Sequence, residues 1–188
     1  MKKLIVTIII LLAASFVFAN EEFDMMLKQA QDGNPTACYN VSLCYQYGYL
    51  DTKLDNDKAV YWAKKATDLG VSDAMVDVGI YYLSFENNWK LAKKYFEQGA
   101  EKNNPYAYYM LGLCYSNALN VKKDIKKGLE NYKKASEIGC PSADYQLGIL
   151  YYLGEDVPDD RETAILYFKK AAQAGNADAQ KMLEKLGL

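Results

Sequence analysis

Between Pro141 and Gly175 the apolar positions fall into two helical stripes parted by a polar stretch. Ala143, Leu147, Gly148 and Tyr151 recur at three- and four-residue steps, the spacing that gathers side chains on one face of an α-helix. Pro141 suits the first turn of that helix, where its missing N–H has no intrahelical partner to lose. The spacing predicts a helix over 142–152. Gly154 to Asp160 then breaks the pattern with Gly, Pro and four acidic residues, Glu155, Asp156, Asp159 and Asp160, a loop signal. Asp159 or Asp160 can accept a backbone N–H and cap the next helix. Ala164, Tyr167, Phe168 and Ala171 mark a second stripe over 161–174. Gly175 can close it in the left-handed conformation, which costs a residue without Cβ little.

This pattern occurs four times. A residue able to turn left-handed is followed four positions later by Ala at Gly33/Ala37, Gly70/Ala74, Asn103/Ala107, Gly139/Ala143 and Gly175/Ala179, with successive spacings of 37, 33, 36 and 36 residues. A period in that range marks stacked supersecondary units. Such stacks present long shaped surfaces to partners. Gly79, Gly112 and Gly148 sit in mid-helix at a cost of up to about 1 kcal/mol each. The expected compensation is close approach, with the small residue of one helix receiving an aromatic of its antiparallel neighbour. Glu21 to Gln31, with Phe23, Met26, Leu27 and Ala30, reads as a lone helix covering the first repeat. Ala177 to Leu186 reads as a C-terminal cap. The expected organisation is therefore 1–19 leader, 20–34 capping helix, repeats over 35–70, 71–103, 104–139 and 140–175, and a closing helix over 176–188.

The linked positions Ala143-x3-Leu147-Gly148-x2-Tyr151, Gly154 and Lys169-Lys170-Ala171-Ala172-x2-Gly175 resemble the Sel1-like repeat, and the likeness extends over about residues 35 to 180. The resemblance implies an all-α fold, a right-handed α/α solenoid of helix-turn-helix repeats related to tetratricopeptide repeats. Loops between the two helices vary in that family, which accounts for the short second repeat around Phe85 to Asn88. Three departures stand out: Ser42 replaces the helix A Gly in repeat one, Gly99 a helix B Ala, and Asn103 a terminal Gly. By the same resemblance helix A lines a concave face, exposing the positions two, nine and ten after the landmark Ala. The expected partner-binding residues are Tyr39 and Tyr47, Tyr109 and Asn117, and Tyr145 and Tyr152. They suggest a Tyr-rich groove for an extended or helical segment of a protein or peptide partner, since Tyr buries area while losing little rotamer freedom. The competing reading is that Tyr at this spacing packs repeat against repeat.

Composition narrows the function. Lys2 and Lys3 precede an apolar run from Leu4 to Ala19, and Val17-Phe18-Ala19 ends it with a small residue. This is the pattern of a secretory signal peptide cleaved before Asn20. The expected location is periplasmic or extracellular, with no stable membrane insertion after cleavage. Without its first two lysines the chain has 20 cationic and 24 acidic side chains, a net charge of about −4. Nucleic acid, which wants a concentrated basic face, is not an expected partner. There is no His, which removes Ser-His-Asp and Cys-His catalysis and the commonest zinc ligand. Cys38, Cys44, Cys114 and Cys140 are too scattered for a closed metal site, so no metal or cofactor is expected. Cys38 and Cys44 would sit about 9 Å apart along one helix, beyond disulfide reach, and mostly free, partly buried thiols are expected. Some exported Sel1-like proteins, the cysteine-rich proteins of Helicobacter, are described as penicillin-binding or β-lactamase-like. Their paired Cys link adjacent helices, but Ala30, Thr67, Ala100, Ser136 and Ala172 stand at the helix B half of those pairs here, and no S-x-x-K motif occurs. The expected function is an exported, non-catalytic scaffold or adaptor of the cell envelope. The alternatives are a secreted factor acting on host proteins and a β-lactamase-like enzyme. The adjacent lysines Lys64-Lys65, Lys93-Lys94, Lys133-Lys134 and Lys169-Lys170 are expected to form a solvated helix B face.

Overall fold

The computed structural model describes residues 20–117, 123–154 and 159–188. The leader expected over 1–19, and Glu155 and Asp156 of the acidic loop, lie outside the described residues. Among the described residues the structure is all helix and turn, without a strand. Helix α1 covers 20–31. It is followed by α2 (Pro35–Tyr47), a 3-10 turn (Tyr49–Asp51), α3 (Asn56–Asp68), α4 (Ser72–Ser84) and α5 (Trp89–Glu101). The chain continues through α6 (Pro105–Ser116), α7 (Ile125–Glu137), α8 (Pro141–Leu153), α9 (Arg161–Gln173) and α10 (Ala177–Lys185). This is the expected all-α class. Two compact units divide between Val78 and Gly79, inside α4.

The joints between hairpins follow from the landmark residues. Gly33, Gly70, Asn103, Gly139 and Gly175 all have φ between +57° and +93°. Each closes its helix by donating its N–H three residues back, as from Gly139 to Ser136 O at 3.1 Å. The next residue donates five back, as from Cys140 to Ala135 O at 2.9 Å. Together these bonds satisfy carbonyls that would otherwise be orphaned at the helix end. At three joints an Asn then caps the following helix: Asn34, Asn104 and Asn176 accept the amides of Ala37, Ala107 and Ala179. The landmark Ala is the third residue of its helix at all five joints, and it is buried in every case.

Within each hairpin a second device sets the turn. The residues that cap α3, α5, α7 and α9 are Asp55, Asn88, Asp124 and Asp160, each accepting an amide three residues on. Of the two candidate caps in the acidic loop, Asp160 takes the role. The caps' own N–H groups donate back to Tyr45 O, Tyr82 O, Tyr115 O and Tyr151 O at 2.8–3.0 Å. Those four Tyr stand eight residues after the landmark Ala, so one backbone bond closes every hairpin at the same place.

The mid-helix glycines sit where an aromatic enters. A Cβ on Gly148 would lie 2.5 Å from Phe168 Cδ1 and Cε1, and one on Gly112 would lie 2.5 Å from Tyr132 Cδ1 and Cε1. Gly79 faces Phe96 in the same way. Phe96, Tyr132 and Phe168 are all buried. Repeat one differs: Ser42 holds the Gly position, and Ala63, in register with Phe168, holds the aromatic one, both buried. It therefore lacks the Gly–aromatic pair.

In the first unit Ala30, Ala37, Cys38, Val41, Trp62, Ala66 and Ala74 form a core, and Phe23, Met26 and Leu27 of α1 pack onto it. Helix α1 therefore lies against the core of the first hairpin. In the second unit Tyr132, Ala135, Cys140, Ala143 and Leu147 form a core with Tyr108, Tyr109, Leu129 and Tyr167 packed against it. All four cysteines are free and fully buried rather than partly so.

The paired lysines of the helix B positions are exposed or half-buried, none of them buried, and several of their ammonium groups meet neighbours at the surface. Lys65, Lys134 and Lys170 stand five residues before a joint. Lys65 lies over the rings of Tyr61 and Trp62, at 4.9 and 4.7 Å from their centroids, and Lys134 lies over Tyr108 at 5.5 Å. Lys170 Nζ donates to Asp144 Oδ1 at 2.9 Å. Neighbouring residues on a helix point about 100° apart, so the second lysine of a pair can reach a ring or carboxylate along the surface while remaining solvated.

Candidate functional site

The expected partner-binding residues separate into three kinds of environment. In the first unit Tyr39 donates its hydroxyl to Asp77 Oδ2 at 3.0 Å, tying α2 to α4. Burial pushes the Tyr39 phenol well above its ordinary pKa, and the Asp77 carboxylate adds to the effect. Burial likewise raises Asp77; the hydrogen bond from Tyr39 opposes the rise, and the charge of Asp73 reinforces it. Tyr109 repeats the arrangement in the second unit, with its hydroxyl hydrogen-bonded to the Gln146 side chain and its ring 6.1 Å from Tyr132. Asp77 and Gln146 each stand three residues after a landmark Ala, so the two bonds are equivalent links from one hairpin to the next.

Tyr145 and Tyr152 lie on α8 on either side of Gly148. Their ring centroids are 5.9 and 6.4 Å from that of Phe168, bracing the aromatic that fills the Gly148 notch. The Arg161 guanidinium lies 5.3 Å over the Tyr152 ring. Tyr47 and Asn117 point outward. Tyr47 is 56% exposed, and exposed Asn117 ends α6 with its N–H on Leu113 O at 3.0 Å. The structure thus gives four of the six residues packing or linking roles, with their rings half-buried, and leaves two exposed.

Residues outside that expectation are exposed beside Tyr47. Tyr49 and Leu54 are 56% and 64% exposed. The Tyr47 and Tyr49 rings lie 5.5 Å apart. They belong to a turn in which Leu50 and Asp51 take φ of +53° and +56°. Asp visits that conformation on occasion, but Leu seldom does, so the alternation of polar and apolar positions did not single the turn out.

One buried polar cluster could suggest chemistry. Lys170 Nζ donates to Ser136 Oγ at 2.7 Å, to Ser136 O at 2.9 Å and to Asp144 Oδ1. The Ser136 hydroxyl in turn donates to Asp144, which is 2% exposed. A nucleophilic serine needs a base to take its proton. Here the proton faces a carboxylate already paired with an ammonium, and the lysine donates rather than accepts. The cluster joins the last turn of α7 to the first turn of α8, and the cation sits at the negative end of the α7 dipole. Ser136 and Asp144 occupy the two ends of the joint at which Cys38 Sγ donates to Ala30 O at 3.3 Å in the first unit. Polar side chains hold these joints. Among the described residues no three metal-ligating side chains converge, and no helix is long and apolar enough to cross a membrane.

The sequence model of the Sel1 repeat matches residues 35–71, 72–104, 105–140 and 141–176. The ERAD-associated E3 ubiquitin-protein ligase component HRD3B of Arabidopsis thaliana is 33% identical over 107 residues, which is 57% of this chain and 17% of that protein. The chain therefore spans under a fifth of the length of this curated relative. Among solved structures, a Sel1 repeat protein from Oxalobacter formigenes is similar with a TM-score of 0.75 and 28% identity, over 88% of this chain and 74% of its own. A protective antigen of uropathogenic Escherichia coli displaying an SLR fold is similar with a TM-score of 0.75 and 26% identity, over 86% of this chain and 35% of its own.

Proposed function

The chain belongs to the Sel1 repeat family, whose repeats act as protein–protein interaction modules, and on that footing we propose that it is a non-catalytic scaffold of the cell envelope, exported on the leader over 1–19, that holds a segment of a partner protein. The observation that supports this reading best is the row of helix A tyrosines within each unit. Tyr39 in the first unit, and Tyr109, Tyr145 and Tyr152 in the second, are half-buried rings fixed by hydrogen bonds and aromatic packing. Tyr47 of the first unit and Asn117 of the second are exposed. Rings fixed before binding lose little entropy when a partner arrives. Asp144 and Lys170 neutralise each other within a structural joint, which favours a scaffold over a hydrolase.

The test is capture of partners with the full chain, tagged at its C-terminus and expressed in its native cell, from the envelope fraction and from the medium. A reproducible protein partner in the envelope fraction, lost on Tyr47→Ala with Asn117→Ala, is the expected result. Capture of peptidoglycan or small molecules alone would remove the scaffold reading. A partner found only in the medium would replace the envelope location with a secreted one.

A further inference from the structure

We infer that the groove between α1 and the start of α2 docks an amphipathic helix of the partner protein, one carrying the pattern Ala-x-Tyr-x-x-Gly-x-x-Tyr. The inference rests on the interaction-module reading and names the element by which the partner is held.

The repeat itself shows what belongs in this groove. Helix α1 closes at left-handed Gly33, whose N–H donates to Ala30 O at 3.1 Å, as α3, α7 and α9 close at Gly70, Gly139 and Gly175. By position α1 is therefore the helix B of a hairpin. The other four helices of that kind each pack on a helix A of their own, and among the described residues α1 has none. The seat is open. Helix α1 and the start of α2 border a groove of about 220 Å³ lined by Glu22, Met25, Met26, Gln29, Thr36 and Asn40. Met25 is 59% exposed. A terminal cap presents a polar outer face. Helix α1 instead keeps methionine at the two positions that meet a helix A elsewhere.

Those positions can be read one by one. Met25 stands eight residues before its joint, the place of Tyr95 and Tyr167. Those two rings stack on Tyr82 and Tyr151 of helix A, with centroids 5.6 and 5.9 Å apart. Met26 stands seven before, the place of Phe96, Tyr132 and Phe168, which enter the notches at Gly79, Gly112 and Gly148. Asn40 stands three after Ala37, the place of Asp77 and Gln146. Those side chains bond to the hydroxyls of Tyr39 and Tyr109 from the preceding hairpin. A docked helix therefore needs a small residue, then a Tyr for Asn40, a Gly for Met26 and a second Tyr for Met25. Helices α6 and α8 carry that sequence as Ala107-x-Tyr109-x-x-Gly112-x-x-Tyr115 and Ala143-x-Tyr145-x-x-Gly148-x-x-Tyr151. Methionine suits a seat filled by another chain, because its thioether packs on aromatic rings and adapts to their shape. Glu22 holds the place of Gly128 and Ala164 and is exposed, so the docked helix carries a Lys or Arg just after its second Tyr. A second copy is the wrong occupant. Its α10 is a helix A, but Glu184 holds the Gly148 place there and would set a carboxylate against Met26.

The probe is a fluorescein-labelled peptide with Ala-x-Tyr-x-x-Gly-x-x-Tyr-Lys at its core and Leu, Lys and Gln elsewhere, read by fluorescence anisotropy on the purified full chain. It should bind, and a scrambled peptide of the same composition should not. Met25→Glu should weaken binding about tenfold, because it sets a carboxylate under the docked ring. Met25 is exposed, so this variant keeps the fold. Asn40→Ala should weaken binding about fivefold, the loss of one hydrogen bond. It should not affect a peptide whose first Tyr is replaced by Phe, a result that a general change in the fold would not give. Asp178→Asn with Lys181→Gln, in the second unit, should change nothing. Equal binding of ordered and scrambled peptides, indifference to Met25→Glu, or an equal effect of Asn40→Ala on the Tyr and Phe peptides would overturn the inference. So would self-association that the peptide competes away, since the occupant would then be a second copy. Binding that appears only once residues 1–19 are cleaved would likewise overturn it, by giving the seat to the leader. Capture of one protein partner equally by wild type and by Met25→Glu would sink the docking point and leave the scaffold reading standing. Capture of no protein by either would remove the scaffold reading and this inference with it.

Discussion

Replacing Gly148 with Ala tests whether the aromatic notch governs the fold. Gly→Ala in a helix interior ordinarily stabilises by about 1 kcal/mol. Here the new Cβ would stand 2.5 Å from two carbons of Phe168, about 1 Å inside the usual carbon–carbon contact of roughly 3.5 Å. Phe168 is fully buried and braced by the Tyr145 and Tyr152 rings, so it has no easy retreat. Overpacking of this kind costs about 1–3 kcal/mol. With so short an approach and so constrained a ring, the upper half of that range applies. After subtracting the propensity gain, Gly148→Ala should destabilise by about 1–2 kcal/mol. With a slope of about 2 kcal/mol/M, the urea midpoint followed by circular dichroism should fall by about 0.5–1 M. The decisive arm is the double variant. Phe168→Ala alone should cost about 3–5 kcal/mol. In that background Gly148→Ala should become stabilising by about 1 kcal/mol, because only the propensity term remains. Repeat one already lacks the pair, with Ser42 and Ala63 at the two positions. A Gly148→Ala variant as stable as wild type, or one whose effect keeps its sign in the Phe168→Ala background, would refute the notch argument.

Two other outcomes follow from buried groups. Lys170→Met should cost about 1–3 kcal/mol, because it leaves the buried Asp144 carboxylate with Ser136 as its remaining side-chain partner. Asp144→Asn added to it should recover part of that loss in the same urea titration, and a neutral Lys170→Met would show that the joint is held by packing alone. All four thiols are buried, and burial pushes the Cys114 thiol up to about 11. A disulfide-exchange reagent near neutral pH should therefore modify none of them in the native chain and all four in denaturant. Because the folded state holds the Cys114 proton more tightly than the unfolded chain, its contribution to stability should be lost as pH rises from 9.0 through about 11. Rapid labelling of the native chain would refute the buried placement.

The hairpins were legible because their controls are local. A left-handed residue, the Ala four positions on and a capping Asp or Asn each act within one turn of backbone. Gly33, Gly70, Asn103, Gly139 and Gly175 accordingly all stand at joints, and α8 and α9 lie within one or two residues of their expected bounds. What periodicity does not carry is the identity of the neighbour. It places Tyr39 and Tyr109 at equivalent helix A positions without showing that their hydroxyls reach Asp77 and Gln146 one hairpin later. It likewise groups Lys169 and Lys170 without showing that the second meets Asp144. The loss of the Gly–aromatic pair at Ser42 and Ala63 involves two helices, so it is visible only when both are compared with Gly148 and Phe168 in register. The turn at Leu50 and Asp51 escaped for another reason: Leu50 is held left-handed by the Thr52 hydroxyl on Cys44 O and Tyr49 O and by the hairpin bond, not by its own preference.

The Gly–aromatic pairing also determines where such a chain can be cut and rejoined. Helix α8 carries a notch and α9 the ring that fills it, whereas α2 carries a side chain and α3 a small residue. Joining α2 to α9 would press Phe168 against Ser42, and joining α8 to α3 would leave a void beside Gly148. The two helices of a hairpin must be inherited together. The left-handed joints carry the same backbone bonds throughout, so a duplication or deletion that begins and ends at a joint transfers a matched pair. Gain and loss of whole hairpins is therefore the conservative route by which this architecture changes length, and crossovers within a hairpin are the ones that selection should remove.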